Sequence, residues 1–236
     1  MSTAAPNGGR LQRLRAHFDS LGALDGSLYL LDQLLQRASA GRLRVLRYHV
    51  VAQPLTGSAA AMRPDGKTVI VPADSQHPLV GSFPRPPAVI AQRFANGAQC
   101  LLATVAGQFA GYLWWQTGHY DEDEVRCQFV LAQPARSVWD FDVYVEPRYR
   151  LGRTMARLWQ AAEQHLQQQG VAWSCSRIST YNAASLNAHA RLGARTVASA
   201  LFIVVGPLQL SLFNQRPGVH LALGRSSRPV LRVAPP

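Results

Sequence analysis

The sequence contains few cysteines. Only three occur in 236 residues, and they lie far apart at Cys100, Cys127 and Cys175. An odd number, with no pair at metal-ligand spacing, argues against a disulfide framework and gives no zinc motif. We therefore expect buried thiols and no bound metal, with a catalytic cysteine as the minor alternative.

Long apolar runs are also missing. A membrane-spanning helix needs about 18 consecutive apolar residues, whereas the longest candidate run, Ala198 to Val205, has the length of a strand. The segment Met1 to Arg15 is positively charged but has no apolar stretch behind it, so it lacks the pattern of a secretory signal. We expect a cytoplasmic protein without a membrane span.

Lysine is nearly absent, and Lys67 is the only one. Arginine therefore supplies almost all of the 24 basic side chains, which against 13 acidic ones give a formal net charge of +11. Such a surface favours anionic partners such as phosphate, nucleotides or nucleic acid. A coding bias towards arginine would give the same composition, so nucleic-acid binding is possible but not favoured.

Hydrophobic periodicity predicts the order of helices and strands. Helical spacing occurs at Leu28–Arg37, Val89–Phe94, Leu151–Gln169 and Ala183–Leu192. Strand patterns cover Leu43–Val51, Thr68–Val71, Ala98–Val105, Phe109–Gln116, Val125–Leu131, Val138–Val145, Val171–Ser179 and Ala198–Val205, with a hairpin turn at Ala106-Gly107. Antiparallel strands followed by strand–helix–strand–helix–strand predict an α+β fold with one mixed sheet.

Composition predicts three regions. Residues 1–25 are rich in alanine, glycine and polar residues, and we expect a flexible N-terminal arm. Residues 26–223 are expected to form a single domain with a core at 43–205. The last residues, 224–236, are expected to form a loose tail. The acidic run Asp121 to Glu124 is interpreted as a solvated turn.

One segment has the pattern of a phosphate site. The strand Val138–Val145 leads through Glu146-Pro147-Arg148-Tyr149-Arg150-Leu151-Gly152-Arg153-Thr154-Met155 into the clearest helix. A turn into a helix N-terminus presents free backbone N–H groups and the positive end of the helix dipole. Arg150 and Arg153 add fork-shaped cations. An ordinary strand-to-helix turn with surface arginines would have the same pattern.

Two segments together resemble the GNAT superfamily of acyl-CoA-dependent N-acetyltransferases. The first, "VYVEPRYRLGRTMARLW", is similar to the family's acyl-CoA-binding motif, and the second, "NAASLNAHARLGA", is similar to its later helix. One helix and one strand separate them, as in the family, and the resemblance covers roughly Leu43 to Val205. It implies a GNAT-like mixed, mostly antiparallel sheet flanked by helices and splayed between two central parallel strands, Val138–Val145 and Val171–Ser179.

The resemblance also implies how acetyl-CoA or a longer acyl-CoA is bound. The pantetheine arm would bond to the backbone edge near Val143 to Val145. The pyrophosphate would lie on the amides of the turn, which comprises Leu151, Gly152, Arg153, Thr154 and Met155. Asn182 is a candidate pantetheine contact, with capping of its own helix as the alternative.

The sequence departs from the family pattern at two places. Counted from Arg150, the usual glycine positions hold Arg153 and Met155, with Gly152 one place early, so we expect arginine to bind phosphate through its side chain. Where many members have a tyrosine that protonates the departing thiolate, this chain has His189. Tyr181 is the second choice, and a half-buried or solvent-facing histidine is the alternative interpretation.

Two acidic residues are candidates for the base that an amine acceptor needs. Asp140 and Asp142 lie two apart on one strand, so we expect them to share a face, and a carboxylate on a central strand is unusual. Either one is a candidate base or acceptor ligand, with a polar network in the core as the alternative. Glu146, at the strand end, is the third candidate.

Three functions follow from these patterns. The first is an acyltransferase that moves an acyl group from acyl-CoA to an amine, or to a hydroxyl, by direct attack. The second is a non-catalytic acyl-CoA sensor of the same fold, and the third is a basic nucleic-acid-binding protein. No motif identifies the acceptor, which is a small molecule or a protein, and the oligomeric state stays open.

Overall fold

The computed structural model describes residues 7–56, 62–224 and 226–236. The helices are α1 (Asn7–Ala38), α2 (Pro87–Ala95), α3 (Thr154–Gln168) and α4 (Ala183–Arg191). The strands are β1 (Leu43–Pro54), β2 (Thr68–Ala73), β3 (Gln99–Val105), β4 (Gln108–Gln116), β5 (His119–Asp121), β6 (Gln128–Leu131), β7 (Ser137–Val145), β8 (Trp173–Ser179), β9 (Arg195–Val205), β10 (Leu208–Phe213), β11 (Val219–Ala222) and β12 (Val230–Val233).

Both ends of the chain contain more regular structure than the sequence predicts. Helix α1 begins at Asn7, within the predicted arm, and is interrupted at Gly22, where φ is 77°. Strand β12 lies in the predicted loose tail, and the side chains of Leu231 and Val233 are fully buried. Alternating apolar residues in a short terminal segment thus form a strand despite the neighbouring prolines and arginines.

The chain divides into two compact units, which are described separately. Unit 1 holds the described residues of Met1–Val51, Asp121–Phe129 and Arg177–Arg232. Unit 2 holds those of Ala52–Tyr120, Val130–Ser176 and Val233–Pro236. The expectation of a single domain over 26–223 stays a prediction.

Unit 2 contains a mixed, mostly antiparallel sheet with the strand order β8-β7-β4-β3-β2. The pairs β2–β3, β3–β4 and β4–β7 are antiparallel, and β7–β8 is parallel. The hairpin turn predicted at Ala106-Gly107 joins β3 to β4, and both residues have the positive φ of a type I′ turn, 51° and 77°.

Each face of this sheet has its own core. On one face, Leu158, Ala162 and Leu166 of α3 pack against Leu113 and Trp115 of β4. The i, i+4, i+8 spacing of these α3 residues gives the helix one apolar stripe. On the other face, a cluster that includes α2 covers the remaining β4 side chains, with Phe83, Ile90, Tyr112 and Trp114 among its members.

Unit 1 contains strands in the order β11-β10-β9-β1. The pairs β9–β10 and β10–β11 are antiparallel. Tyr48 of β1, Phe202 of β9 and Phe213 of β10 form the aromatic part of this core, with ring centroids 5.5 to 5.7 Å apart. Helix α1 is tied to β1 by buried Asp32, which pairs with Arg44 at 3.0 Å and accepts from the Val45 amide at 2.8 Å.

The acidic run is only partly the solvated turn that the sequence predicts, because Asp121, Asp123 and Glu124 are exposed but Glu122 is not. The Glu122 side chain is fully buried in an ion pair with Arg177 at 2.6 Å. Glu124 accepts a hydrogen bond from the Tyr48 hydroxyl at 2.5 Å, and the Arg177 guanidinium lies over the Tyr48 ring. Within unit 1, these contacts supply the buried carboxylate with the cation it needs.

Candidate active site on strand β7 and helix α3

The two aspartates of β7 lie on opposite faces of the sheet. Asp142 pairs with Trp114 and Asp140 pairs with Trp115, although a register shift separates the two pairs. Phe141 is the extra residue of this β-bulge. Because paired residues share a face, Asp142 lies on the α2 side with Trp114 and Asp140 on the α3 side with Trp115. The prediction that they share a face is therefore wrong, since regular alternation stops at the bulge.

Asp142 is held by two arginines. Arg85 donates from Nε at 3.0 Å and from Nη2 at 3.1 Å, and Arg93 donates from Nη1 at 2.7 Å. The Tyr112 hydroxyl adds a bond at 3.1 Å. Burial alone would raise the pKa of Asp142, but the arginines more than compensate, and the pKa lies below its ordinary value. Asp142 is thus an ionised anchor whose oxygens are already occupied.

No cation among the described residues lies beside Asp140. The residue is 7% exposed, and its Oδ2 accepts from the Ser174 hydroxyl at 2.6 Å. The Ser176 hydroxyl is buried near the same carboxyl but makes no direct hydrogen bond within the described residues. Burial raises the pKa of Asp140 to about 7, although the serine hydroxyls oppose the shift. A carboxyl that titrates near neutrality suits general acid–base chemistry.

Strands β7 and β8 part directly before Asp140. Their parallel pairing covers three residue pairs, from Ser137 with Trp173 to Trp139 with Cys175. β7 continues to Val145 and stays paired with β4, but from Asp140 onward its other edge has no strand partner within the described residues. The predicted splay between the two parallel strands is confirmed, and the backbone of Val143 lies on this open stretch.

The segment after β7 makes a 3-10 turn, Pro147–Tyr149, before α3 begins at Thr154. The sequence predicts that the helix begins at Leu151. In the structure, Leu151, Gly152 and Arg153 precede the helix and lie in the turn. Arg153 is the N-cap residue and makes no side-chain capping bond. The first N–H groups of α3 therefore keep the positive end of the helix dipole without a side-chain acceptor.

Arg150 points back towards the strand. Its Nε donates to the Val145 carbonyl at 2.9 Å, and its guanidinium lies 5.8 Å from the centre of the Tyr144 ring. This bond fixes the turn at the end of β7. Glu146, the third candidate base, accepts from the Tyr144 hydroxyl at 3.3 Å.

A cavity of about 200 Å³ lies over the turn and the start of α3. Its lining includes three arginines together with residues of the turn and of the segment before β2: Asp65, Thr68, Val105, Arg148, Tyr149, Gly152, Arg153, Thr154 and Arg157. The Arg153 side chain makes no ion pair within the described residues, whereas Nε of Arg157 lies 3.3 Å from Oδ2 of Asp65. Met155 is 42% exposed and is not among the lining residues.

Sequence reasoning missed Arg148, Arg157 and Asp65. A signal existed for Arg157, because it follows Arg153 by four residues and so shares its face of α3. No local pattern indicates Asp65. Hydrogen bonds from Thr68, through backbone and side chain, and from the Lys67 amide hold the pKa of Asp65 well below its ordinary value, so Asp65 is an anion on the cavity wall.

The residues predicted from the later helix belong to unit 1. Asn182 caps α4 by accepting from the Ser185 amide at 3.0 Å, which is the structural alternative given above. The Tyr181 hydroxyl donates to the Val45 carbonyl at 2.9 Å. His189 is partly buried on α4, and burial lowers its pKa, so its imidazole is mainly neutral at pH 7. The proton-donor role of His189 stays a prediction.

Two further properties concern all described residues. No group of three or more His, Cys, Asp and Glu side chains among them is arranged to hold a metal ion. None of the described helices has both the length and the apolar character needed to cross a membrane.

Comparisons with known proteins give matches only among solved structures. No protein-family model matches the chain, and no curated protein does. A conserved protein of unknown function from Staphylococcus epidermidis has a TM-score of 0.50 at 9% identity, over 74% of this chain and 67% of that one. A protein assigned to the GNAT family from Novosphingobium aromaticivorans has a TM-score of 0.47 at 17% identity, over 70% and 66%.

A tandem GNAT protein from the clavulanic acid biosynthesis pathway has a TM-score of 0.45 at 16% identity, over 68% of this chain and 54% of that one. The chain thus spans about two thirds or less of the length of these structures. At such identities the similarity concerns the fold alone. The strand order of unit 2, the parallel pair that parts after three residue pairs and the β7–turn–α3 segment agree with the α+β fold and the splayed, mostly antiparallel mixed sheet that the sequence predicts.

Proposed function

We propose that this chain is an acyltransferase that moves an acetyl or longer acyl group from acyl-CoA to an amine or hydroxyl acceptor. The observation that carries the proposal is the cavity over α3, which combines Arg148, Arg153 and Arg157 with a helix start whose N-cap residue, Arg153, makes no side-chain capping bond. It lies directly after the strand that parts from its parallel neighbour.

The charges around this cavity fit a diphosphate. Backbone N–H groups at a helix N-terminus bind phosphate oxygens, and the helix dipole favours the negative charge. Arginine adds planar, paired donors that match phosphate geometry. Arg153 is the preferred side-chain ligand, because it lines the cavity without an ion-pair partner among the described residues.

The open edge of β7 fits an extended amide-containing arm. Beyond Trp139, the backbone N–H and C=O groups on this edge have no strand partner among the described residues. A ligand can pair with them as an added strand would. Val143 is the preferred contact. The Val145 carbonyl already accepts from Arg150, so we assign Val145 and Arg150 mainly to shaping the turn.

Asp140 is the preferred base. Bound acyl-CoA would supply an activated thioester carbonyl. Attack by a neutral amine forms the carbon–nitrogen bond and breaks the carbon–sulfur bond, and the sulfur leaves as a thiolate that takes a proton from solvent. The amine loses a proton, and a carboxyl with a pKa of about 7 accepts it near neutral pH. Asp142 fits this role less well, because two arginines keep it ionised and bonded.

Calorimetric titration with acetyl-CoA and longer acyl-CoAs tests the proposal. We expect binding that Arg153→Ala weakens about 10- to 100-fold, since one lost charge-assisted contact is worth roughly 1.5–3 kcal/mol. Arg195→Ala, at an exposed position on β9, is the matched control and should bind as wild type does. Absence of binding, or equal loss in both variants, would contradict the proposal.

Turnover separates catalysis from sensing. With a panel of amines and acyl-CoA, the proposal predicts release of free thiol that Asp140→Asn reduces strongly while acyl-CoA affinity stays unchanged. Binding without thiol release on any acceptor would favour the acyl-CoA sensor.

A further inference from the structure

Six aliphatic side chains lie together on one face of strands β9, β10 and β11. Antiparallel register aligns Ile203 of β9 with Leu210 of β10, and Leu210 with Leu221 of β11. The next rung on the same face aligns Leu201, Leu212 and Val219 in the same way. We call these six side chains, on three neighbouring strands, the aliphatic face.

The aliphatic face is exposed to solvent along β11 and partly buried along β9 and β10, unlike the reverse side of these strands. Val219 and Leu221 are 66% and 57% exposed. On the reverse side, Ala200, Phe202 and Ser211 are buried. The two sides of β9, β10 and β11 therefore alternate between a buried core and an exposed apolar surface, where a solvated strand face would carry polar residues.

The edge strand of this sheet is short and carries no charged side chain. β11 is the last strand in its order, and no charged residue or proline lies within Val219–Ala222. Soluble proteins usually protect an exposed edge with lysine, proline, a bulge or a covering element. Leu223, directly after β11, is 70% exposed and extends the apolar surface beyond the edge.

The size of the surface fits a protein partner. Val205 and Leu208 extend the aliphatic face at the β9–β10 turn, with exposures of 47% and 41%. Four of these eight side chains are 41% to 66% exposed and the other four are partly buried, so together they present on the order of 500 Å² of apolar surface, which is the size of the largest patch on typical monomers. A standard interface buries about 800 Å² per partner. The aliphatic face would therefore form the apolar centre of such an interface, with a rim added around it.

We propose that the aliphatic face packs against the same face of a second copy of the chain. A patch that pairs with itself needs no charge complementarity, and the aliphatic face carries no charged residue in a chain of net charge +11. A lipid surface is less well matched, because the face has no tryptophan or tyrosine, which are enriched at lipid interfaces. Two such faces stack like the sheets of a sandwich, with their backbones about 10 Å apart.

Sedimentation equilibrium of the full chain tests this proposal without reference to acyl-CoA. We expect wild type to have twice the mass of one chain at micromolar concentration. Leu221→Glu places a charge at the centre of the interface and should weaken association at least 100-fold. Leu24→Glu makes the same change at an exposed position of α1, 60% exposed and outside the aliphatic face, and should leave the dimer intact.

Several results would overturn the proposal. One is a wild type that stays monomeric at about 100 µM, a result that does not depend on how any variant folds. Binding of that monomer to phosphatidylcholine vesicles would assign the face to lipid instead. Equal dissociation by Leu221→Glu and Leu24→Glu, in variants whose circular dichroism matches wild type, would place the interface elsewhere.

Discussion

The two faces of β7 treat the same kind of side chain in opposite ways. On the α2 side, Asp142 is ionised because Arg85 and Arg93 donate three hydrogen bonds to it. On the α3 side, Asp140 is buried with only serine hydroxyls nearby, and its pKa is raised to about 7. Burial acts on both residues, so the difference comes from the cations that one has and the other lacks.

The difference in pKa gives the two aspartates different roles. Asp142 anchors the fold, and Asp140 is the reactive group. A carboxylate that two arginines hold stabilises the fold but has no oxygen left for a proton. A buried carboxyl without a cation destabilises the fold when it ionises, and it can exchange a proton near neutral pH. The bulge at Phe141 makes this possible, because it places one aspartate on each face.

The largest expected effect is a pH dependence of stability that Asp140 alone causes. Its folded pKa of about 7 lies above the unfolded value of about 3.9, so the folded state keeps a proton that the unfolded chain loses. As pH rises from 4 to 7, the free energy of unfolding of wild type should fall by about 3 kcal/mol relative to Asp140→Asn. Urea denaturation at a series of pH values measures this difference.

Asp142 provides the comparison of opposite sign. Its folded pKa lies below its ordinary value, so its contribution is present above the unfolded pKa and is lost as pH falls through the folded pKa. Wild type should therefore gain stability relative to Asp142→Asn as pH rises. If the stability of wild type relative to the asparagine variant changed with pH in the same direction at both positions, the distinction between Asp140 and Asp142 would be lost.

The next effect is on stability at constant pH. Asp142→Ala leaves Arg93, whose side chain is 13% exposed, without its carboxylate and should cost about 3 kcal/mol. Asp140→Asn at pH 7 removes a carboxyl that the unfolded chain ionises and the folded state keeps half protonated, so it should increase stability by up to about 3 kcal/mol. Chemical denaturation compares the two, and a larger loss at Asp140 would show that the anchor has been assigned to the wrong residue.

The sequence predicts those features of the fold and the site whose physical cause lies in neighbouring residues. It misses those that depend on residues far apart in the chain. Hydrophobic periodicity and the Ala106-Gly107 turn are local, and β1 to β4, β6 to β9, the hairpin and helices α2 to α4 follow from them, whereas β5, β10, β11 and β12 were not predicted. The bulge depends on how β7 pairs with β4. The prediction used only the regular alternation of side chains along the sequence, and it therefore placed both aspartates wrongly on one face. Likewise, Glu122 is buried by Arg177, which lies 55 residues further along the chain.

The smallest expected effect concerns the cavity on the α3 side. Asp65 pairs with Arg157 at 3.3 Å and so competes with a bound phosphate for the same guanidinium. Asp65→Asn should raise acetyl-CoA affinity about 3- to 10-fold, a small effect because solvent screens an exposed ion pair. The side-chain oxygen of asparagine still accepts from the Thr68 amide, so the turn is retained.

Asp74→Asn is the control for this change. Asp74 is exposed and accepts from the Gln76 amide in a similar turn, but it does not line the cavity. Calorimetry should show unchanged affinity for Asp74→Asn. A lower affinity for Asp65→Asn would mean that Asp65 supports the ligand instead of competing with it.

Carbon-13 NMR titration of the aspartate carboxyls tests most directly whether the two faces of β7 separate an anchor from a base. Comparison with spectra of Asp140→Asn and Asp142→Asn assigns the two resonances. The account predicts that Asp140 titrates near pH 7 and Asp142 below its ordinary value of about 3.9. Titration of both carboxyls near pH 4 would contradict it and would remove Asp140 as the base.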